Sequence, residues 1–341
     1  MKTLNRNEIS LFENLASLTQ DNLRMTLYGF LKKNYEKVVF DNDFLLAKGD
    51  IPIAVVAHMD TVFKAPPTEI YYDRRKNVMW SPTGLGADDR AGVFSILQLI
   101  KAGYRPHVIF TTDEEIGCVG AQELSFLPCP FEDLRYIIQL DRRNSNDCVF
   151  YDCANAEFEK YVESFGFVTA WGSFTDICEL CPSWGIAGVN LSIGYRDEHT
   201  TSEVLFVGQM IDTIEKVKKM LSVRDIPSFK FIPSPNAFNY WYDSKMDSYY
   251  DYFGDEEYLF DKPPVKVSNK PKYICKGCGG TFPEDEVLPV KLIRKGKIGY
   301  FCSDCMVNNV DWCFKCGEPF QIDPKDINSG YCVDCKKKKK G

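Results

Sequence analysis

Histidine is scarce in this sequence, with three residues in 341, so any site that needs imidazole has few places to form. No apolar run is long enough to span a bilayer, and no charged start followed by an apolar stretch marks a secretion signal. These absences argue against a membrane-spanning helix, and the default expectation is a cytoplasmic protein. Positive charge is not in excess either. The formal net charge is −7, which argues against general binding to nucleic acid. What remains is 45% hydrophobic and 26% charged, the composition of a soluble globular protein, and the length suggests about two domains.

Cysteine is plentiful and unevenly placed. Eight of the fourteen lie in four Cys-x-x-Cys pairs after residue 270: Cys275 and Cys278, Cys302 and Cys305, Cys313 and Cys316, Cys332 and Cys335. In a chain without a secretion signal this spacing predicts structural zinc, because each tight turn aims two thiolates at one tetrahedral ion. Twenty-three residues separate the first two pairs and fifteen the last two. Two sequential four-cysteine ribbons, holding two zinc ions, are the simplest pairing, with an interleaved arrangement as the alternative. Cys178 and Cys181 form a lone pair of the same spacing, and the other cysteines outside the ribbons read as small buried apolar side chains.

Short, β-branched-rich apolar runs at 51–57, 107–112, 136–140 and 188–193 predict buried central strands. Helical periodicity covers 7–34 in two pieces, then 89–104, and 202–221 as one long amphipathic helix. Strands alternating with helices predict an α/β domain with a mixed, largely parallel central sheet flanked by helices, followed by a small zinc-ribbon module. The boundaries expected are 1–222 for the first domain, 223–270 for a linker, and 271–341 for the ribbons and a lysine tail. The linker holds an acidic, aromatic stretch at 243–261, with seven acids against one lysine, which reads as a solvated segment.

In such a sheet, ligands gather at the carboxyl ends of the strands. The run 51–57 leads into His58, Met59 and Asp60. The run 107–112 leads into Asp113, Glu114 and Glu115, and 136–140 into Asp141. The run 188–193 continues through GYRDE to His199, while GLGADDRAG sets Asp88 and Asp89 in a glycine-rich turn at a helix start. Carboxylates crowded on one rim repel each other unless cations gather them. Two zinc ions would bring four positive charges; Asp88, Glu115 and Asp141 return three and a bridging hydroxide the fourth. His58 and His199 would bind as neutral imidazoles. Asp60, two residues beyond His58, would accept the other ring N–H, and Glu114 is left to act as general base. His107 precedes a strand and reads as structural. Thr200 and Glu203 fit a Thr-x-x-Glu capping box that opens the last helix and steadies His199.

The stretches AHMDTV, GLGADDRAGV, TTDEEIGCVGA, Asp141 and RDEHTTSE occur in the order found in the co-catalytic dinuclear zinc exopeptidases, and residues 45–222 resemble that family. It includes bacterial leucyl aminopeptidase, the glutamyl and tetrahedral aminopeptidases, and tripeptide peptidase. The resemblance implies two catalytic zinc ions, or cobalt or manganese in their place. His58 and Asp141 would hold one, Glu115 and His199 the other, with Asp88 bridging and Glu114 as base. It also implies a cis peptide between Asp88 and Asp89. With 29 residues between His58 and Asp88 and 57 between Asp141 and His199, there is no room for the inserted barrel or lid of some branches. The layout is nearest to the leucyl aminopeptidases. The segment GSFTDICELCPSWGIAG resembles the family's pocket-lining stretch, which makes Thr175 and Asp176 candidates for the substrate pocket.

The function expected is a metal-dependent exopeptidase, an aminopeptidase ahead of a carboxypeptidase or acyl-amino-acid deacylase, acting on a peptide or acyl-amino-acid substrate. A non-catalytic zinc-ribbon protein on a retired peptidase scaffold is the alternative of another class. Residues 271–341 carry thirteen basic against nine acidic side chains, an excess cancelled by two four-thiolate zinc centres of charge −2 each. A protein partner for the ribbons is therefore favoured over nucleic acid.

Overall fold

The chain begins with two helices, α1 (Arg6–Ala16) and α2 (Gln20–Asn34). Asn5 starts α1 with a capping box: its side chain accepts from the Glu8 N–H, and Glu8 reaches back to the Asn5 N–H. Next come β1 (Lys37–Phe40), β2 (Phe44–Lys48), β3 (Ile51–His58), β4 (Tyr71–Asp73), β5 (Val78–Trp80), α3 (Ala87–Lys101) and β6 (Pro106–Thr111). They are followed by α4 (Val119–Ser125), β7 (Tyr136–Arg142), β8 (Asp147–Val149), α5 (Ala156–Glu163), β9 (Val168–Thr169) and α6 (Ile177–Trp184). Then come β10 (Gly188–Ser192), β11 (Tyr195–Arg196), β12 (Val204–Phe206) and α7 (Val207–Leu221). The cysteine-rich part adds β13 (Lys272–Ile274), β14 (Thr281–Pro283), β15 (Val287–Lys291), β16 (Ile298–Cys302), β17 (Val310–Trp312) and β18 (Pro319–Gln321).

This computed structural model describes residues 2–234, 272–283, 287–293, 297–302, 305–306, 309–313, 318–323 and 331–335. The acidic aromatic stretch 243–261, the linker up to 271, Cys316 and the lysine tail lie outside the described residues. The chain divides into two compact units. One takes Met1–Thr3 and Tyr35–Pro264, the other Leu4–Asn34 and Val265–Gly341.

In the first unit an eight-stranded sheet runs in the order β1-β2-β6-β3-β7-β10-β8-β9. Its centre, β6-β3-β7-β10, is parallel, and antiparallel pairings join β1, β2 and β8 to it. This is the mixed, largely parallel sheet expected from the sequence. The central strands are mostly apolar on both faces because both faces are covered. On one face Leu46, Ala54, Val56, Ile109 and Ile137 pack with Ala121 and Leu124 of α4 and Ile177 and Leu180 of α6. Side chains of opposite parity, such as Val55, Val108 and Ile138, are buried on the other face. A second sheet runs β11-β12-β5-β4.

The stretch 202–221, expected as one helix, is a strand followed by a helix. Val204–Phe206 pairs with Trp80, Met79 and Val78 of β5, and α7 begins only at Val207. The chain also keeps packing beyond α7, where the Phe229 and Phe231 N–H groups donate to the Arg135 and Gly185 carbonyls. In the second unit the described strands form the sheets β13-β14 and β16-β15-β18-β17. At Gly29, a Cβ would lie 3.8 Å from Met306, so α2 packs against the cysteine-rich part.

Candidate metal centre

Strand register sets the first pair of ligands. Val56 of β3 lies beside Gln139 of β7, and two residues further along each strand the same parity places His58 beside Asp141, with Nε2 and Oδ1 3.5 Å apart. The turn into α3 brings Asp88 to both histidines. His58 Nε2 is 3.1 Å from Asp88 Oδ1 and His199 Nε2 is 3.2 Å from Asp88 Oδ2. Glu115 Oε2 completes the second group, 2.9 Å from His199 Nε2. Two triads result, His58-Asp88-Asp141 and Asp88-Glu115-His199, each with one ligand atom per residue within 4.8 Å of the others. Asp88 is common to both and turns a different oxygen to each. The Asp88–Asp89 peptide is cis, as the resemblance implies.

The surroundings fix these side chains. His58 Nδ1 lies 3.1 Å from Asp60 Oδ1. Asp60 also accepts the N–H groups of Glu114 and Glu115, at 3.0 Å each, and so ties the acidic loop after β6 to the end of β3. Asp141 is held at both oxygens: Tyr195 donates to Oδ1 at 3.1 Å, Thr175 to Oδ2 at 2.7 Å and Gln139 to Oδ2 at 3.1 Å. Cys118 places its thiol 3.6 Å from Glu114 Oε1.

Without cations these charges are in conflict. Burial pushes Glu114 up to about 9 and Glu115 up to about 8, with Asp88 and Asp141 adding to the rise. Burial alone would lower His58, yet the neighbouring Asp141 and Asp60 carboxylates outweigh it and hold the imidazolium well above its ordinary range. His199, half exposed, is raised to about 9, chiefly by its hydrogen bond to Asp88. The buried Oε1 of Glu115 has no hydrogen-bond partner among the described residues. A pair of divalent cations fits this donor set, because imidazole nitrogens and carboxylate oxygens are ordinary zinc ligands and the charge would relieve the repulsion.

Two expectations need correction. Thr175 and Asp176, expected in the substrate pocket, are buried instead. They are 1% and 0% exposed, with Thr175 bonded to Asp141 and Asp176 accepting from Thr111 and Gln139. The segment just before them, through Trp171 and Phe174, instead walls a cavity of ≈ 460 Å³ with Tyr151, Ile177 and Phe231. Thr200 and Glu203 do not cap the last helix, since α7 starts at Val207 without a side-chain cap. Glu203 is fully buried and reaches the turn before Asp88. His107 is structural, as expected: its Nδ1 accepts from the Gly49 N–H, Nε2 meets Asp133, and its ring stacks on Phe131.

In the second unit Cys275, Cys278, Cys302 and Cys305 bring their sulfurs within 4.8 Å of one another, and Cys313, Cys332 and Cys335 do likewise. This is the sequential grouping. Cys278 and Cys302 sulfurs are 3.9 Å apart, too far for a disulfide. The N–H groups of Gly277 and Cys302 point at Cys275 Sγ, 3.3 Å away. Although burial opposes it, such N–H contacts bring this thiol down to about 6, toward the thiolate that binds metal. The cluster fits a zinc-ribbon module.

No family model matches the sequence, and no curated protein matches it. Solved structures do. Aminopeptidase PepT from Bacillus cereus is 16% identical with a TM-score of 0.51, over 63% of this chain and 98% of that one. A tripeptidase from Staphylococcus aureus is 14% identical with a TM-score of 0.51, over 63% and 97%. A TET aminopeptidase from a marine sediment Thaumarchaeota archaeon is 13% identical with a TM-score of 0.51, over 64% and 98%. At these identities the likeness is one of fold.

Proposed function

We propose that this chain is a metal-dependent exopeptidase, an aminopeptidase by first choice, with two catalytic zinc ions. The observation that carries the reading is Asp88, whose two carboxylate oxygens each face a different His-carboxylate pair. His58 and Asp141 would hold one ion, Glu115 and His199 the other, and Asp88 both. The similar folds belong to proteins called aminopeptidases and a tripeptidase, which supports a substrate with a free amino group.

When bound, such ions polarise a peptide carbonyl and lower the pKa of water toward neutrality. Glu114 takes a proton from the attacking water and delivers it to the leaving amine, a role open to it because it belongs to neither triad. Asp60 holds the loop that carries Glu114 through two backbone N–H groups and sets the His58 tautomer. Thr175, Gln139 and Tyr195 keep the Asp141 carboxylate in one orientation. The cavity beside Trp171 and Phe174 suits an apolar side chain of the substrate.

In the second unit we assign two structural zinc ions, one to Cys275, Cys278, Cys302 and Cys305 and one to Cys313, Cys316, Cys332 and Cys335. This module would recruit a protein partner, and the chain would work in the cytoplasm. Among the described residues no helix is long and apolar enough to cross a membrane.

Screening the zinc-, cobalt- and manganese-loaded protein against peptides with free and blocked amino ends tests the reading. Hydrolysis confined to free-amino peptides is the expected result. Cleavage only of blocked peptides or acyl amino acids would move the assignment to a carboxypeptidase or deacylase. No hydrolysis of any of them would favour the scaffold without catalysis.

A further inference from the structure

Glu203 belongs to neither metal triad, yet it is 0% exposed and its carboxylate lies against the turn that presents Asp88. Oε2 accepts from the Gly86 N–H at 2.6 Å and the Ala87 N–H at 3.1 Å, and Oε1 accepts from the N–H of Asp88 itself at 3.0 Å. These are three successive donors at the entry to α3, where no preceding helical turn supplies carbonyls. Gly86, at the cap position with φ of 65°, has no side chain to satisfy them. An aspartate at such a place readily folds its own carboxylate back onto nearby backbone N–H groups. Its neighbour Asp89 does so, accepting from the Gly92 N–H at 2.8 Å. Asp88 does not, and instead directs Oδ1 toward His58 and Oδ2 toward His199.

We propose that Glu203 is a positioning residue: by occupying the backbone donors before α3, it leaves both oxygens of Asp88 free to be shared between two metal ions. The inference rests on the dinuclear reading of the site and adds a determinant of it. Glu203 lies four residues beyond His199, so one segment supplies a ligand to one ion and also orients the ligand common to both. The separation from Gly86, 117 positions, means that the Asp88 turn is completed only when the end of the β10–β12 region is in place.

The test is a zinc titration against a competing chelator, with parent, Glu203→Gln, Asp88→Asn and the double variant. Glutamine keeps the shape of Glu203 but turns an NH₂ group onto a backbone N–H. Glu203→Gln should weaken metal binding about 10–100-fold in the parent background. In the Asp88→Asn background the same change should move the affinity of the remaining ion by no more than about twofold, because there is no shared carboxylate left to position. Equal losses in both backgrounds would show a general structural role and overturn the proposal, as would an unchanged affinity in the parent background. If Glu203→Gln does not fold, Glu203→Asp, which keeps the charge but withdraws it by one methylene, is judged by the same two criteria. A parent that saturates below two ions would sink the dinuclear reading and this inference with it. A two-ion parent with an unaffected Glu203 variant would sink the inference alone.

Discussion

Glu114 and Glu115 are adjacent, alike in chemistry and assigned to different tasks, so substitution should tell them apart. Glu114→Gln is expected to lower turnover about a hundredfold or more while both catalytic ions remain. Glu115→Gln should instead release the ion shared with His199, because Glu115 contacts that histidine at 2.9 Å. Turnover together with metal content by atomic spectroscopy checks both. Loss of an ion from the Glu114 variant would mean the roles are exchanged. Protons provide a second prediction. In the metal-free protein His58 is held protonated by Asp141 and Asp60 against the effect of burial, and Glu115 rises to about 8, mainly through burial. Both must lose a proton to bind metal, so affinity should climb as pH rises through neutrality, and binding at pH 7 should release protons. Calorimetry in two buffers of different ionisation enthalpy measures that release, and equal heats in both buffers would contradict the ligand assignment. The five triad residues could be singled out as ligand candidates from sequence, because His58 and Asp141 stand at the carboxyl ends of buried strands, Glu115 and His199 in loops beyond strands, and Asp88 at the start of a helix. The positioning contacts of Glu203, Thr175 and Tyr195 were not legible there. Glu203 lies 115 positions from Asp88, and Thr175 and Tyr195 lie 34 and 54 from Asp141, in contacts that spacing does not encode; Gln139, two residues before Asp141 on one strand face, was within reach of that reasoning.

At the scale of elements, the meeting of α3 with β7 controls where Asp88 stands. A Cβ built on Gly92 would lie 2.2 Å from the Leu140 carbonyl oxygen and 2.4 Å from the Asp89 carboxylate. Gly92→Ala should therefore push α3 off β7, the strand that carries Asp141, destabilising the fold by about 1–3 kcal/mol. It should also weaken metal binding, although the residue is no ligand. Denaturant unfolding beside a metal titration checks both effects, and an alanine variant of parent stability would show that the helix has slack. The same level shows which elements a sequence reveals. The strands β3, β6, β7 and β10 are predominantly apolar and buried on both faces, and α3 is long enough to show its period. The strand β12 has three residues, Val204 to Phe206, of which only Leu205 is fully buried. Its apolar residues merge with the periodicity of α7, and so the strand was read as helix. Thr200 and Glu203 satisfied a capping pattern by spacing alone; the helix that Glu203 serves is α3, more than a hundred residues earlier.

For the whole molecule, the division into units was only partly legible. The cysteine pairs marked the second unit, but nothing in the pattern of residues 4–34 said that α1 and α2 belong with it rather than with the sheet. Amphipathic helices show that they must bury a face and not which partner covers it. Removing the ribbon zinc should therefore expose α1 and α2 along with the cysteine strands, since this small unit has little other core. Hydrogen exchange after treatment with a thiol-reactive zinc displacer should show protection lost over 6–34 and 272–335 and kept in β3, β6 and β7. Protection that persists in α1 and α2 would mean that the helices stand without the metal clusters. The same partition has a consequence for synthesis. The strands of the same unit leave the ribosome only about 240 residues after the helices, a delay of roughly 12–50 s at ordinary rates of elongation. During that interval the apolar faces of α1 and α2, with Phe12, Leu15, Leu23, Leu27 and Leu31 all destined for burial, have no final partner. A newly made chain of this protein should therefore expose an apolar, chaperone-binding segment in α1 and α2 until the strands of the second unit emerge.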